Sequence, residues 1–317
     1  MILSLERWGT TFQNPVLLAA GTCGFGEELG EVVDLEALGG FVTKSVTIEP
    51  RRGNPAPRVA EIGSSMINSI GLANPGLERV RAEKLPWIRE HVRRPKVFVS
   101  LAGHSPEDYH ILVAELDGET GFVGFELNMS CPNDRRLARP FVLDPDALVE
   151  VVAGARARTK RPLLVKLAPN DPDLAETARR AEGAGADGLT LINTLPGLAL
   201  DPVRGRPLLG AGQGGLSGPG LRGAGLLAVA TARKVTSLPL VGVGGIGSTY
   251  DALQYLRAGA SLIQIGTASF ADPRTAERIV RGLESWGRRH GIARIDDLVG
   301  TAVPAPGPAP VLSPVGA

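Results

Sequence analysis

The sequence predicts an α/β chain closed into a (β/α)8 barrel, with long loops over the C-terminal face of the barrel. Three observations carry that expectation. Eight short apolar runs alternate with helical patterns along the 317 residues. Most of these runs are continuously apolar, as parallel strands covered on both faces are. Eight strand–helix units match a closed barrel better than an open sheet, and a TIM barrel of ~250 residues is ordinary.

The strands are expected at residues 15–20, 40–45, 96–101, 124–129, 163–167, 188–193, 239–244 and 262–267. Helical patterns occupy residues 145–160, 174–184, 222–235, 250–258 and 273–289, among others. An internal echo supports the repeat: residues 184–194 read AGADGLTLINT and residues 258–268 read AGASLIQIGTA. Each is a helix end, a glycine stop, a small-residue turn and a strand closing on polar or small residues. Two Gly-, Pro-, Asn- and Ser-rich segments break the alternation, 49–74 after the second strand and 195–219 after the sixth. Loops longer than ~12–15 residues inside a compact domain are commonly functional. Both follow strand C-termini, where a barrel builds its site. The barrel is assigned to residues 1–300; residues 301–317, rich in Pro, Ala and Gly, are expected to be disordered or loosely packed.

A net charge of +1 gives no reason to expect a nucleic-acid or anionic-membrane partner. Two cysteines, Cys23 and Cys131, are too few for a disulfide framework and fit a reducing cytoplasm. The N-terminus lacks the pattern of a signal peptide, and no apolar run reaches the ~18–20 residues of a membrane span. The four histidines, His91, His104, His110 and His290, do not lie at metal-ligand spacing, so no metal site is expected.

Lys44 ends the second strand in FVTKS, and Lys166 repeats the pattern in LLVKLAP. A lysine in an apolar run must be paired or must reach water. Two of them at strand ends imply an electron-rich ligand, either a flavin ring or a phosphorylated metabolite. GVGGIGS closes the seventh strand and IGTAS the eighth. Barrels often hold phosphate on these two loops, where glycines let backbone N–H groups approach the anion. Asn68, Asn74, Asn128, Asn133 and Asn193 gather on the same face. Each amide offers donor and acceptor, which suits a polar, planar substrate, although a lone asparagine is more often a turn residue.

Cys131 lies in FELNMSCPN, just past the fourth strand. A free cysteine is commonly a small buried hydrophobe. Here polar neighbours and Pro132 flank it, and no histidine lies nearby in sequence, which favours a general base over a Cys–His nucleophile. A thiol of pKa ~8.5 is partly ionised near neutrality and can take a proton held beside it. Cys23, in the glycine-rich turn GTCGFG, reads as structural.

The set FVTKS, NSIGLANPG, NMSCPN, VKLAP, INT, GGLSGPG, GVGGI and IGTA resembles class 1 dihydroorotate dehydrogenases, from about residue 3 to residue 299. The form NTLPGLALDP…GGLSGPG is similar to the 1B subclass. The resemblance implies FMN as cofactor and dihydroorotate and orotate as ligands. It also implies a partner subunit with FAD and an iron–sulfur cluster that passes electrons to NAD, and a homodimeric core, or a heterotetramer with that partner. Cys131 would take the C5 proton, and Lys44 would touch both FMN and orotate. Asn68, Ser69, Ile70, Gly71, Leu72, Asn128, Asn133, Asn193 and Thr194 would line the orotate site. Ala20, Gly21, Ser45, Ser100, Asn128, Lys166 and Ile192 would hold the flavin ring and ribityl chain. Gly218, Gly244, Gly245, Gly266 and Thr267 would cradle its phosphate.

Some positions depart from the family pattern. Ser100 stands where asparagine is common, and DRRLARPF after Asn133 is richer in arginine than the glycine-rich stretch of 1B members. Class 2 members carry a membrane extension and a serine base, so the chain is expected to fall outside that class. Two other readings compete: an FMN barrel like that of dihydropyrimidine dehydrogenase, and a phosphate-binding lyase or isomerase without flavin. A barrel that binds a ligand without catalysis is a third.

Overall fold

The structure is a computed structural model that describes residues 1–129 and 144–306. Eight parallel strands close a barrel: β1 (Val16–Leu18), β2 (Gly40–Val42), β3 (Lys96–Leu101), β4 (Gly124–Asn128), β5 (Leu163–Leu167), β6 (Gly188–Leu191), β7 (Leu240–Val243) and β8 (Ala260–Ile265). Each falls on one of the eight apolar runs. Closure comes from β8 against β1, where Ile263 faces Val16 and Ile265 faces Leu18. The strand residues are almost all buried, as expected of a parallel sheet sheathed by helices. Close packing explains a glycine here: a Cβ on Gly40 would stand 2.1 Å from the Lys96 carbonyl oxygen.

The helices lie outside this wall, including Leu85–His91, Pro106–Asp117, Pro145–Arg156, Leu174–Gly183, Arg222–Arg233, Thr249–Ala258 and Thr275–Arg289. Four of them begin with a side-chain cap on the third helical amide, from Ser105, Asp144, Asp173 and Ser248. The link from β1 to β2 carries only a 3₁₀ turn at Leu35–Ala37. Among the described residues no helix is long and apolar enough to cross a membrane.

A hairpin of Leu5–Arg7 and Thr10–Phe12, which the apolar pattern does not reveal, closes the N-terminal end. Trp8 at its turn packs edge-on against Phe98, 5.7 Å away, and donates from Nε1 to the Asp187 carbonyl at 2.8 Å. The apolar plug leaves the opposite end of the barrel for polar work.

At that end the two long segments are not loops alone. They form one antiparallel sheet with strand order Leu195–Leu198, Gln213–Ser217, Ser65–Asn68, Val59–Ile62. Its central pairing sets Gly215 opposite Asn68 and Leu216 opposite Ile67. Ile67, Ala199 and Leu209 make a small apolar cluster of their own beneath it. The sheet roofs the C-terminal face. The expected tail falls outside the described residues from residue 307 onward; residues 301 and 302 are still tied to the body by backbone hydrogen bonds to Leu298 and Arg257.

Candidate active site

A cavity of about 690 Å³ lies between the strand ends and the antiparallel roof. That is a common size for small-molecule and cofactor sites, ~300–1,000 Å³. Its floor comes from the turn after β1, where Ala19, Ala20 and Gly21 leave room by their small size. A Cβ on Gly21 would sit 3.9 Å from Lys44 Nζ and fill that space. Ile192, Leu221 and Val243 supply an apolar wall, and Lys44, Ser45, Asn128 and Lys166 a polar edge.

Lys166 comes from β5 and is 6% exposed. Its ammonium lies 3.4 Å from Glu126 Oε1 on β4, and that carboxylate is wholly buried. Glu126 Oε2 accepts from Thr190 Oγ1 at 2.9 Å and from Gln264 Nε2 at 2.8 Å. These partners come from β6 and β8, so four strands meet in one polar layer under the cavity. Lys44 follows β2 and is half-buried at the cavity edge.

A second polar chain runs along the strand ends. Ser100 Oγ and Ser45 Oγ are 2.8 Å apart. Asn128 Nδ2 donates to Ser45 at 3.2 Å, and Asn193 Nδ2 donates to Asn128 Oδ1 at 3.2 Å. The Thr194 amide then donates to Asn193 Oδ1 at 2.8 Å. Tyr109 OH holds the Asn128 carbonyl at 2.8 Å from the helix behind. The three side chains that line the cavity, Ser45, Asn128 and Asn193, therefore have fixed orientations before any ligand arrives.

The roof adds Asn68, Ile70, Gly71 and Leu72 to the lining. Asn68 Nδ2 donates to the Gly215 carbonyl at 3.2 Å, which locks it to the neighbouring strand of the sheet. Leu72 has φ 57°, a left-handed conformation uncommon for a branched side chain, at the lip of the site. The other end of the cavity is the pair of glycine turns after β7 and β8. Gly244 and Gly245 take φ of 124° and 69°. Tyr255 OH donates to the Gly244 carbonyl at 2.7 Å and steadies that turn, while burial pushes its phenol well above the ordinary range. Gly266 and Thr267 lead into the short helix Ala268–Ala271, and Thr267 Oγ1 donates to Ser217 Oγ at 2.7 Å. Loops after the seventh and eighth strands with a short extra helix are the usual phosphate-binding arrangement of such barrels. Gly218, with φ 101°, borders the same end.

The cavity thus gathers Ala20, Gly21, Lys44, Ser45, Asn68, Ile70, Gly71, Leu72, Asn128, Lys166, Ile192, Asn193, Thr194, Gly218, Gly244, Gly245, Gly266 and Thr267. Three expected residues among those described, Ser69, Asn74 and Ser100, are not in its lining. Ser69 is 1% exposed and accepts from Asn54 Nδ2 at 2.8 Å, because its side chain turns away from that of its lining neighbour Asn68. Ser100 is buried behind Ser45 and reaches the site only through it. Asn74 braces its own turn, donating to Thr47 Oγ1 and accepting from the Gly76 amide. Cys131 and Asn133 lie outside the described residues, as does the arginine-rich stretch 134–141. Cys23 is 1% exposed, and its thiol is pushed up to about 12, chiefly by burial.

Sequence reasoning passed over Glu126, Thr190 and Gln264. The signal was present: Glu126 is a charge inside the apolar run GFELN, and such a charge needs a partner. It also passed over Ser217 and Arg278, which complete the lining at the glycine-turn end.

The residues fit a flat, mixed-polarity cofactor with an anionic tail. The floor is small and apolar, the edge carries two ammonium groups, and the far end offers glycine turns. The family model described as dihydroorotate dehydrogenase matches residues 2–286. A Pelobacter propionicus protein named dihydroorotate dehydrogenase B (NAD(+)), catalytic subunit, is 44% identical over 298 residues, covering 94% of this chain and 97% of its own. A Solibacter usitatus protein, provisionally named dihydroorotate dehydrogenase A (fumarate), is 46% identical over 293 residues, covering 92% of this chain and 96% of its own. An Eimeria tenella dihydroorotate dehydrogenase, solved with ferulenol, superposes with a TM-score of 0.79 at 24% identity, covering 94% of this chain and 88% of that one, a likeness of fold.

Proposed function

The chain belongs to the dihydroorotate dehydrogenase family, and on that premise we propose that it oxidises dihydroorotate to orotate with FMN, in pyrimidine synthesis. One observation carries the reading furthest. Lys44, Lys166, Asn128 and Asn193 line one cavity whose opposite end is the pair of glycine turns.

FMN, when bound, would supply the hydride acceptor, its N5, for C6 of dihydroorotate. The chain does the rest. Lys166 would hold the electron-rich edge of the ring, and the turns at Gly244–Gly245 and Gly266–Thr267 would hold the phosphate. Lys44 serves both ligands. Asn68, Asn128 and Asn193, held by their own hydrogen bonds, pair with the pyrimidine edge and the carboxylate. Cys131, three residues after Asn128, takes the C5 proton. With no histidine beside it in sequence, the thiol depends on substrate placement rather than on a base of its own.

Cys131→Ala tests the base. Bound flavin is retained, and anaerobic bleaching by dihydroorotate falls by at least ~100-fold, the usual worth of general-base catalysis. Cys131→Ser keeps a slow rate that rises with pH. Bleaching of the alanine variant at the wild-type rate would sink the assignment. Bleaching by dihydrouracil in place of dihydroorotate would favour the dihydropyrimidine dehydrogenase reading.

The electrons leave, on this reading, through a separate subunit carrying FAD and an iron–sulfur cluster, to NAD. The chain's two cysteines are too few for a cluster of its own. Fumarate is the second reading, favoured by the Solibacter relative. Turnover with NAD, fumarate or quinone, with and without a co-purified partner, separates them. On the same reading, the family resemblance supports a catalytic barrel over residues 1–300, a homodimeric core and a place in the cytoplasm.

A further inference from the structure

Glu126 is not used by the reaction as proposed, yet it is the most completely enclosed carboxylate near the site, at 0% exposure. It stands on β4 two residues before Asn128. Of the four side chains in its layer, Lys166 alone lines the cavity. The carboxylate cannot follow Lys166 if the lysine swings. Its second oxygen is pinned from β6 by Thr190 at 2.9 Å and from β8 by Gln264 at 2.8 Å. Gln264 serves it at its own expense, because its Oε1 is buried and has no hydrogen-bond partner among the described residues. A neutral acceptor could hold an ammonium in place nearly as well. A charged one also offsets its field, and in a buried, weakly screened site that offset is large.

We propose that Glu126 is a positioning residue that aims Lys166 into the cavity and balances its charge, thereby setting the redox potential of the bound cofactor. The inference rests on the FMN reading above. Reduced flavin carries negative charge at the edge that Lys166 faces, so an uncompensated ammonium favours the reduced form. Glu126 tempers that preference.

The test uses holoenzyme with FMN: wild type, Glu126→Gln, Lys166→Met and the double variant. The readouts are the two-electron midpoint potential, taken by dye-referenced titration, and FMN affinity, taken by quenching of flavin fluorescence. Glu126→Gln keeps the shape and removes the charge. It should raise the ratio of reduced to oxidised FMN affinity about tenfold, which is about 30 mV upward for a two-electron couple. Lys166→Met should shift the potential downward. Adding Glu126→Gln to Lys166→Met should move it much less than in the wild-type background. An unchanged or lowered potential in Glu126→Gln overturns the proposal, as does an equal shift with Lys166 absent. Should Glu126→Gln not fold, Glu126→Asp carries the test. Its carboxylate is retracted by one methylene, so a smaller upward shift supports the proposal and no shift overturns it. A wild-type chain that takes up no FMN fails the functional reading instead, and the two failures are told apart at once.

Discussion

Burial pushes the Cys23 thiol from 9.0 up to about 12, with Glu28 adding to the shift and Lys44 opposing it. Its Sγ lies 3.2 Å from the Val42 carbonyl oxygen. The thiol stays protonated in the folded chain at neutral pH, and thiols react as thiolates. Iodoacetamide at pH 8 should therefore leave Cys23 unmodified in the native protein and modify it after unfolding in guanidinium. Peptide mapping checks this, and alkylated Cys23 from native protein would contradict it. The same shift has a sign for stability. An unfolded thiol ionises near 9.0 and the folded one near 12, so its contribution is whole below pH 9 and lost between pH 9 and 12. At this scale the sequence was legible where a residue type clashed with its surroundings. Lys44 and Lys166 stood out as charges in apolar runs, and Glu126 obeyed the same rule. Ser69 and Ser100, named by resemblance alone, are buried outside the lining, because a motif's spacing does not say to which side a side chain points.

The antiparallel roof joins the two segments that interrupt the barrel, and its closest approach is at Gly215. A Cβ there would fall 2.0 Å from Thr194 Oγ1, which a folded chain does not tolerate without movement. Gly215→Ala should cost ~1–3 kcal/mol, as overpacking does. It should also raise KM for dihydroorotate, since Thr194 and Asn68 both border the site, while FMN affinity stays near wild type. Thermal unfolding, steady-state kinetics and fluorescence titration measure the three effects; a loss of FMN with KM unchanged would contradict the placement. The roof was not legible as a sheet. Its strands are four or five residues long, and LPGL and QGGLS read as turn sequences. Their pairing is set by contacts with a segment far away in the chain, which local pattern does not report.

The barrel itself was legible because eight apolar runs, most of them continuous, alternating with helices are difficult to accommodate in any other way. All eight barrel strands overlap their expected positions, with β8 starting two residues early at Ala260. The cavity draws on β4, β5 and β7 and on the segments after β1, β2, β6, β7 and β8, so ligand binding is coupled to closure of most of the wall. Free FMN at 100 times its Kd should add ~2.7 kcal/mol to the stability of the apoprotein. A melting temperature that ignores FMN would show that the site is not the one described. Strand order also has a consequence during synthesis. Ser65–Asn68 takes its second partner from Gln213–Ser217, with Asn68 and Gly215 separated by 147 positions. At ribosomal speeds of ~5–20 residues per second, that partner arrives roughly 7–30 s later. Until then the nascent hairpin presents a bare edge, open to pairing with other chains. Aggregation during overexpression should therefore ease when translation is faster between these two segments or when a chaperone shields the first.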